Sequence, residues 1–259
     1  MNIDFHTHVK VAKKSDFSPD YFKEMIHEAK LAGLDAIALT EHFNTSSLET
    51  VYQYLDDHFD YVQDYYDADG LKIFPGMEVD VREVSHILLI SRRENVAAMF
   101  RTLKNHLGKE DFLPFSALMD LAEQYNVLKI GAHPFRPATP LTQHAPEQLK
   151  RLDALDLNGK DLYSIGVDEN RSKVYGFAER LGLPVTGGSD THQFMQYGTV
   201  INTLPENCAT IDDLKAAVHS GNFSIRISDD LKLRVKSATL IKKLVKQLLE
   251  KGKAVHVNS

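Results

Sequence analysis

The first eight residues, Met1-Asn2-Ile3-Asp4-Phe5-His6-Thr7-His8, set two histidines two apart behind an apolar, strand-like start. In an extended strand residues i and i+2 point to one side, so His6 and His8 aim two imidazoles into one space, with Asp4 behind them. Two adjacent imidazoles suit a metal ion and have little use on a solvent-facing strand. The same residue types recur downstream in Thr40-Glu41-His42, in Glu78 of "KIFPGMEVD", in His86, in Ala132-His133-Pro134 and in "GGSDTH", which carries Asp190 and His192. The chain has twelve histidines. His27, His58, His106, His144, His219 and His256 lie in helical, loop or tail contexts without such companions and read as structural or surface residues. Any one strand-end histidine is explained as well by capping or hydrogen bonding. The joint recurrence with Glu78 and Asp190 is what points to metal.

Mixed imidazole and carboxylate donors suit zinc, manganese, iron or nickel, and lack the all-oxygen character of a calcium or magnesium site. The set is too large for one ion of ordinary coordination number. Two or three ions sharing it, with a bridging carboxylate, is the simpler reading. Ions about 3.5–4 Å apart form a clamp for displacement at phosphorus.

These residues need a scaffold that gathers strand ends. Apolar runs read as strands at Ile3–His8, Ala36–Thr40, Lys72–Met77, Ser85–Ile90, Val127–Ala132, Ala154–Leu157, Leu183–Thr186 and Thr199–Asn202. Helical periodicity fills Tyr21–Ala32, Leu48–Tyr66, Asn95–Leu107, Phe115–Tyr125, Arg171–Leu181 and Ile211–His219. Pro19 suits a helix start, and Gly33, Gly182 and Gly221 fall where helical patterns stop. Alternating strand and helix predicts an α/β fold with a parallel sheet, and its repetition predicts a closed barrel with chemistry on the loops leaving the strand C-termini. Val81–Ile90 breaks the rhythm by setting one strand after another, which predicts a hairpin or a distorted barrel. His86 opens its strand, so it joins the others only if that strand runs opposite to its neighbours.

Composition is ordinary for a globular chain of 259 residues, at 43% hydrophobic and 25% charged. A single cysteine, Cys208, excludes an internal disulfide or a cysteine zinc cluster and fits a reducing, cytoplasmic setting. No secretory signal or membrane-spanning run is visible. A net charge of -6 argues against a general nucleic-acid coat but not against a phosphorylated substrate. We expect one domain over 1–259, with a C-terminal helix at about 231–253 that carries eight Lys/Arg against one Glu. Its simplest reading is packing on the barrel with a solvated basic face, rather than a partner or membrane surface.

The four segments "DFHTH", "LTEH", "GMEVD" with His86 and "GAHP", and "GGSDTH" resemble, in order, the motifs of the PHP family, the polymerase and histidinol phosphatase superfamily of metal-dependent phosphoesterases. The resemblance spans residue 3 to about residue 192. It implies a distorted seven-stranded βα barrel, TIM-barrel-like, with a trinuclear site of manganese, zinc or iron. Carried over, His6, His8, Glu78 and Asp190 would hold the first ion. Glu78 would bridge to a second, completed by His86 and His133. His42 and His192 would hold a third with Asp16, the match in "SDFSPD"; Asp20 is its nearest competitor, although it also suits an N-cap. A hydroxide bridging the ions would attack phosphorus in line, with Glu78 and Asp190 holding the ions. Arg136 could grip phosphate oxygens, and His192 or water could protonate the leaving group. Asn158, Lys160 and Arg171 mark a further anion site at the next strand end. Glu41 is expected to point away from the site, by strand alternation. The expected substrate is a small phosphorylated molecule, a nucleotide or an oligonucleotide end, with no membrane partner. An amidohydrolase-type enzyme also opens with His-x-His, but Glu78 arrives too early for it and His192 is left over. A non-catalytic or accessory PHP module is the other alternative.

Overall fold

The structure, a computed structural model, describes residues 1–13, 15–45, 48–205 and 207–250. In chain order the strands are β1 (Asn2–Thr7), β2 (Ala36–Leu39), β3 (Asp60–Val62), β4 (Tyr65–Ala68), β5 (Leu71–Asp80), β6 (His86–Ser91), β7 (Val127–Gly131), β8 (Ala154–Asn158), β9 (Val185–Gly188), β10 (Val200–Thr203) and β11 (Ser224–Ile227). The helices are α1 (Pro19–Leu31), α2 (Leu48–His58), α3 (Arg93–Leu103), α4 (Phe115–Ala122), α5 (Pro146–Leu149), α6 (Gly159–Ser164), α7 (Val167–Leu181), α8 (Ile211–Ser220) and α9 (Leu231–Glu250).

Alternation within β1 shows why a barrel forms. Ile3 and Phe5 share an apolar cluster with Ile211, Leu214 and Val218 of α8. Asp4 and His6 take the opposite side of the strand, also fully buried. The sheet runs β11-β10-β1-β2-β5-β6-β7-β8-β9 and curls into a nearly closed barrel. β1–β2, β2–β5, β7–β8 and β8–β9 pair parallel, whereas β6 is antiparallel to both its neighbours. The expected reversal is therefore real: Asp80 pairs with His86, which puts the start of β6 beside the end of β5.

Closure between β9 and β1 is made at their ends and by side chains. His8 N–H donates to the Thr191 carbonyl (2.9 Å) and Asp190 N–H to the His6 carbonyl (2.9 Å). Asp4 accepts from Ser189 N–H (3.0 Å) and His6 N–H (3.1 Å). Buried Asn202 donates to the Ile3 and Gly187 carbonyls (2.9 and 2.8 Å) and accepts from Gly187 N–H (2.7 Å), replacing ladder bonds the two strands do not make. Gly188 allows the approach: a Cβ there would lie 2.4 Å from the His6 Cβ.

Several boundaries differ from the sequence expectations. The helix expected over Leu48–Tyr66 ends at His58, and the hairpin β3–β4 follows and pairs with β5. Gln63 turns that hairpin at positive φ, and the alternating Tyr61 and Tyr66 meet edge to face across it at 5.0 Å. α5, α6 and β11 were not expected. α1 starts two residues before the expected Tyr21, with Pro19 in its first turn and Ser18 as N-cap. Gly182 and Gly221 are left-handed C-caps. α9 begins at Leu231 as expected, and the stretch expected beyond residue 250 lies outside the described residues. Among those residues no helix is long and apolar enough to cross a membrane.

Candidate metal centre

At the C-terminal mouth of the barrel the strand-end residues converge into three groups, two of which share His8: His6, His8 and Asp190; Glu78, His86 and His133; His8, His42 and His192. Within each group the donor atoms lie within 4.8 Å of one another. Glu78 stands at their centre. Its Oε1 lies 2.7 Å from His86 Nδ1, 3.2 Å from His133 Nε2 and 3.6 Å from His6 Nε2. Its Oε2 lies 2.8 Å from His42 Nδ1 and 3.5 Å from His8 Nε2. His8 Nε2 is also 3.5 Å from Asp190 Oδ1.

Each element brings its residue in by a different local device. β1 supplies His6, and His8 follows directly on its end, their rings 5.3 Å apart. His42 follows β2 and is held by a bridge to Glu78 on β5. His133 and Asp190 have positive φ, a conformation that is strained for residues with a Cβ and that recurs at functional sites. Gln196 clamps the last loop, accepting from His192 N–H (3.1 Å) and donating to the Asp190 carbonyl (3.3 Å). Tyr21 donates its hydroxyl to the His192 carbonyl (2.9 Å).

The far nitrogens of the imidazoles are also engaged. His6 Nδ1 meets Asp156 (3.0 Å), His86 Nε2 meets Asp80 (3.0 Å) and His133 Nδ1 meets the Thr139 hydroxyl (3.2 Å). His8 Nδ1 faces Glu41 at 3.8 Å, close enough for charge but too far for a hydrogen bond. Partners of this kind fix the tautomer and orientation of metal-binding histidines. Asp156, Asp80 and Thr139 were not read from the sequence as site residues. A lone carboxylate inside the apolar run "ALDLN" was the available signal for Asp156, and a position two beyond Glu78 was the signal for Asp80. Glu41 corrects an expectation. Alternation would turn it away, but the chain has left β2 by residue 40, and Glu41 is buried behind His8.

The electrostatics fit cations at the centre. Burial would raise the Glu78 carboxyl, but His86, His42 and His6 hold it well below the usual range. Burial works against charge on His6, yet Glu78 and Asp156 push it above its ordinary value. Burial and the Arg136 charge keep His133 low; burial and His8 do the same to His192. Glu78 Oε2 and His42 Nδ1, 2.8 Å apart but outside hydrogen-bond geometry, and His8 Nδ1 are buried without a hydrogen-bond partner among the described residues. Orphaned buried donors and acceptors are costly, and imidazole and carboxylate atoms gathered this closely fit transition-metal ions.

Asp16, expected in the third group, is exposed and enters none of the three. The loop after His8 tucks Lys10 inward, its Nζ donating to the Lys13 carbonyl (2.8 Å), and turns at Ala12–Ser15 before Asp16 emerges. His8 takes the place beside His42 and His192. Asp20 is also exposed, in the first turn of α1. Arg136 is committed within the protein: Nε donates to Asp161 (3.0 Å), and Nη2 to Asn158 (3.0 Å) and Asp190 (2.8 Å). Asn158 caps α6 through Lys160 N–H and also donates to Asp156 (2.9 Å). Lys160 Nζ lies 3.6 Å from Asp190. Arg171 is exposed, over the Tyr175 ring, rather than at the strand ends.

The PHP domain model matches residues 4–134, and the PHP-associated model matches residues 168–223. No curated protein matches the chain. Among solved structures, PsfC from Pseudomonas syringae PB-5123 is similar at TM-score 0.78 and 23% identity, covering 94% of this chain and 98% of that one. The lesion-specific endonuclease PfuEndoQ from Pyrococcus furiosus is similar at TM-score 0.62 and 20% identity, over 87% of this chain and 58% of that one. An amidohydrolase from Chromobacterium violaceum is similar at TM-score 0.51 and 16% identity, over 88% of this chain and 99% of that one. At these identities the likenesses establish the fold. With a barrel whose strand ends converge on Glu78 and a family model covering half its length, the chain belongs to the PHP domain family.

Proposed function

We propose that the chain is a metal-dependent phosphoester hydrolase that works with two to three divalent transition-metal ions, manganese, zinc or iron. The observation that carries this reading is Glu78, one enclosed carboxylate whose two oxygens face different sets of histidines. His6, His8 and Asp190 would hold one ion, and Glu78, His86 and His133 another. His42 and His192 would hold the third if His8 were shared. When bound, such ions lower the pKa of water toward neutrality and offset the charge growing on phosphoryl oxygens. Glu78 and Asp190 supply the negative charge that lets cations lie close together. Asp156, Asp80 and Thr139 hold the imidazoles in one tautomer, and Arg136 steers Asp190 by taking its outer oxygen.

A phosphoester substrate is also supported by relatives: an endonuclease Q structure of this fold was solved with a 27-mer duplex carrying an abasic lesion at its active site. For this chain we favour a small phosphorylated molecule or a nucleotide or oligonucleotide end, with the chain forming a single domain that acts in the cytoplasm. The amidohydrolase neighbour keeps attack at an amide carbon as the competing reading. The purified protein, loaded with manganese or zinc, should hydrolyse at least one member of a panel of phosphomonoesters and phosphodiesters and none of a matched panel of amides. Hydrolysis of amides alone would overturn the proposal.

A further inference from the structure

α9 presents a buried stripe of Leu231, Val235, Ala238 and Val245 to the rest of the molecule. Lys242 falls on that same stripe, at helical spacing between Ala238 and Val245, where packing alone calls for an apolar side chain. It is partly buried, unlike the exposed Lys232, Lys236, Lys243 and Lys246 of the same helix. Lys242 lines a narrow cleft of about 10 Å³ with Lys160, Asp190, His192 and Gln196, so a phosphoryl group would meet these side chains at its mouth. No carboxylate reaches it within ion-pair distance among the described residues, and its charged neighbours include the cations Lys160, Lys246 and Arg136 as well as Asp190. An ammonium placed there without a partner costs stability that a leucine or methionine would not. Positions that break the local rule in this way concentrate at functional sites.

The remaining cations show what is missing. Arg136 is occupied by Asp161, Asn158 and Asp190. Among the described residues Lys160 Nζ pairs only with the outer oxygen of Asp190, at 3.6 Å. Lys160 and Lys242 therefore face one cleft, on the edge of the metal centre.

We propose that α9 completes the active site, and that Lys242 with Lys160 forms the subsite that grips the dianionic phosphoryl group of a phosphomonoester. This deepens the phosphoester reading of the same site and rests on it. Two ammonium groups match the two charges of a monoester phosphate, whereas a diester brings one. The C-terminal helix is then a substrate-binding element as well as packing on the barrel.

The test uses the full chain loaded with manganese. Binding of inorganic phosphate is measured by calorimetry, turnover is followed with p-nitrophenyl phosphate and bis(p-nitrophenyl) phosphate, and melting and metal content are recorded for each variant. Lys242→Met keeps most of the length of the side chain and removes its charge. It should weaken phosphate binding by roughly ten- to hundredfold, the loss expected for one charge-assisted contact. KM for the monoester should rise in step, with metal content unchanged and melting temperature unchanged or higher. Lys242→Arg should recover part of the binding, and the outward-facing control Lys243→Met should behave as wild type. Wild-type phosphate binding by Lys242→Met overturns the subsite and leaves the hydrolase reading intact. A lower melting temperature in Lys242→Met, unrelieved in Lys242→Arg, assigns the residue to packing and also overturns it. A wild-type protein that neither binds phosphate nor cleaves either ester overturns the hydrolase reading, and the subsite falls with it.

Discussion

Glu78 faces His6, His8, His42, His86 and His133 from one enclosed carboxylate. Its charge matters more than its shape. Two dications 4 Å apart repel by roughly 17 kcal/mol at an effective dielectric of 20, and a carboxylate between them offsets much of that. Glu78→Gln, nearly the same shape without the charge, should lower turnover by roughly a thousandfold or more and should not be rescued by added metal. Near-native kcat in a steady-state assay would remove Glu78 from the centre of the site. Asp156 acts at one remove, through His6. Asp156→Asn should weaken metal binding by roughly ten- to hundredfold, read by competition with a chromophoric chelator. Asp16 is the opposite case. Because it is exposed and outside every group, Asp16→Ala should keep the wild-type metal content on elemental analysis; a loss of one ion per chain would return Asp16 to the third position.

Among the elements, the strand ends were legible because histidine and carboxylate recur at a fixed place in the barrel. Even the reversed β6 was legible, since His86 could join the other strand-end residues only that way. The β3–β4 hairpin was not. Its Tyr and Asp residues follow a true helix without a proline or glycine, and pairing with β5 outweighs the helical pattern. Glu41 was misread because alternation applies only while the chain remains in the strand. Asp156 and Asn202 went unread because a single polar residue in an apolar run shows that it needs a partner but not which one. Asn202 also makes a prediction for barrel closure. Its three hydrogen bonds to Ile3 and Gly187 are buried, and removing them strands backbone groups of both strands. Asn202→Ala should cost about 2–4 kcal/mol in denaturant unfolding. A change too small to measure would mean that β1 and β9 are held by their loop contacts alone.

At the scale of the whole molecule, strands far apart in sequence meet at one point. β1 and the loop after β9 close the barrel and also carry His6, His8, Asp190 and His192. The contacts that close the barrel therefore also bring these buried carboxylates and imidazoles together. Family and fold follow from that arrangement, while the number of ions is where the proposed chemistry can fail. Elemental analysis of protein purified without chelators and reconstituted with manganese or zinc decides it. The overlapping groups around Glu78 predict two or three ions per chain, falling in Glu78→Gln. One ion or fewer, with no further uptake on adding metal, would contradict a shared-carboxylate centre and the hydrolytic reading built on it.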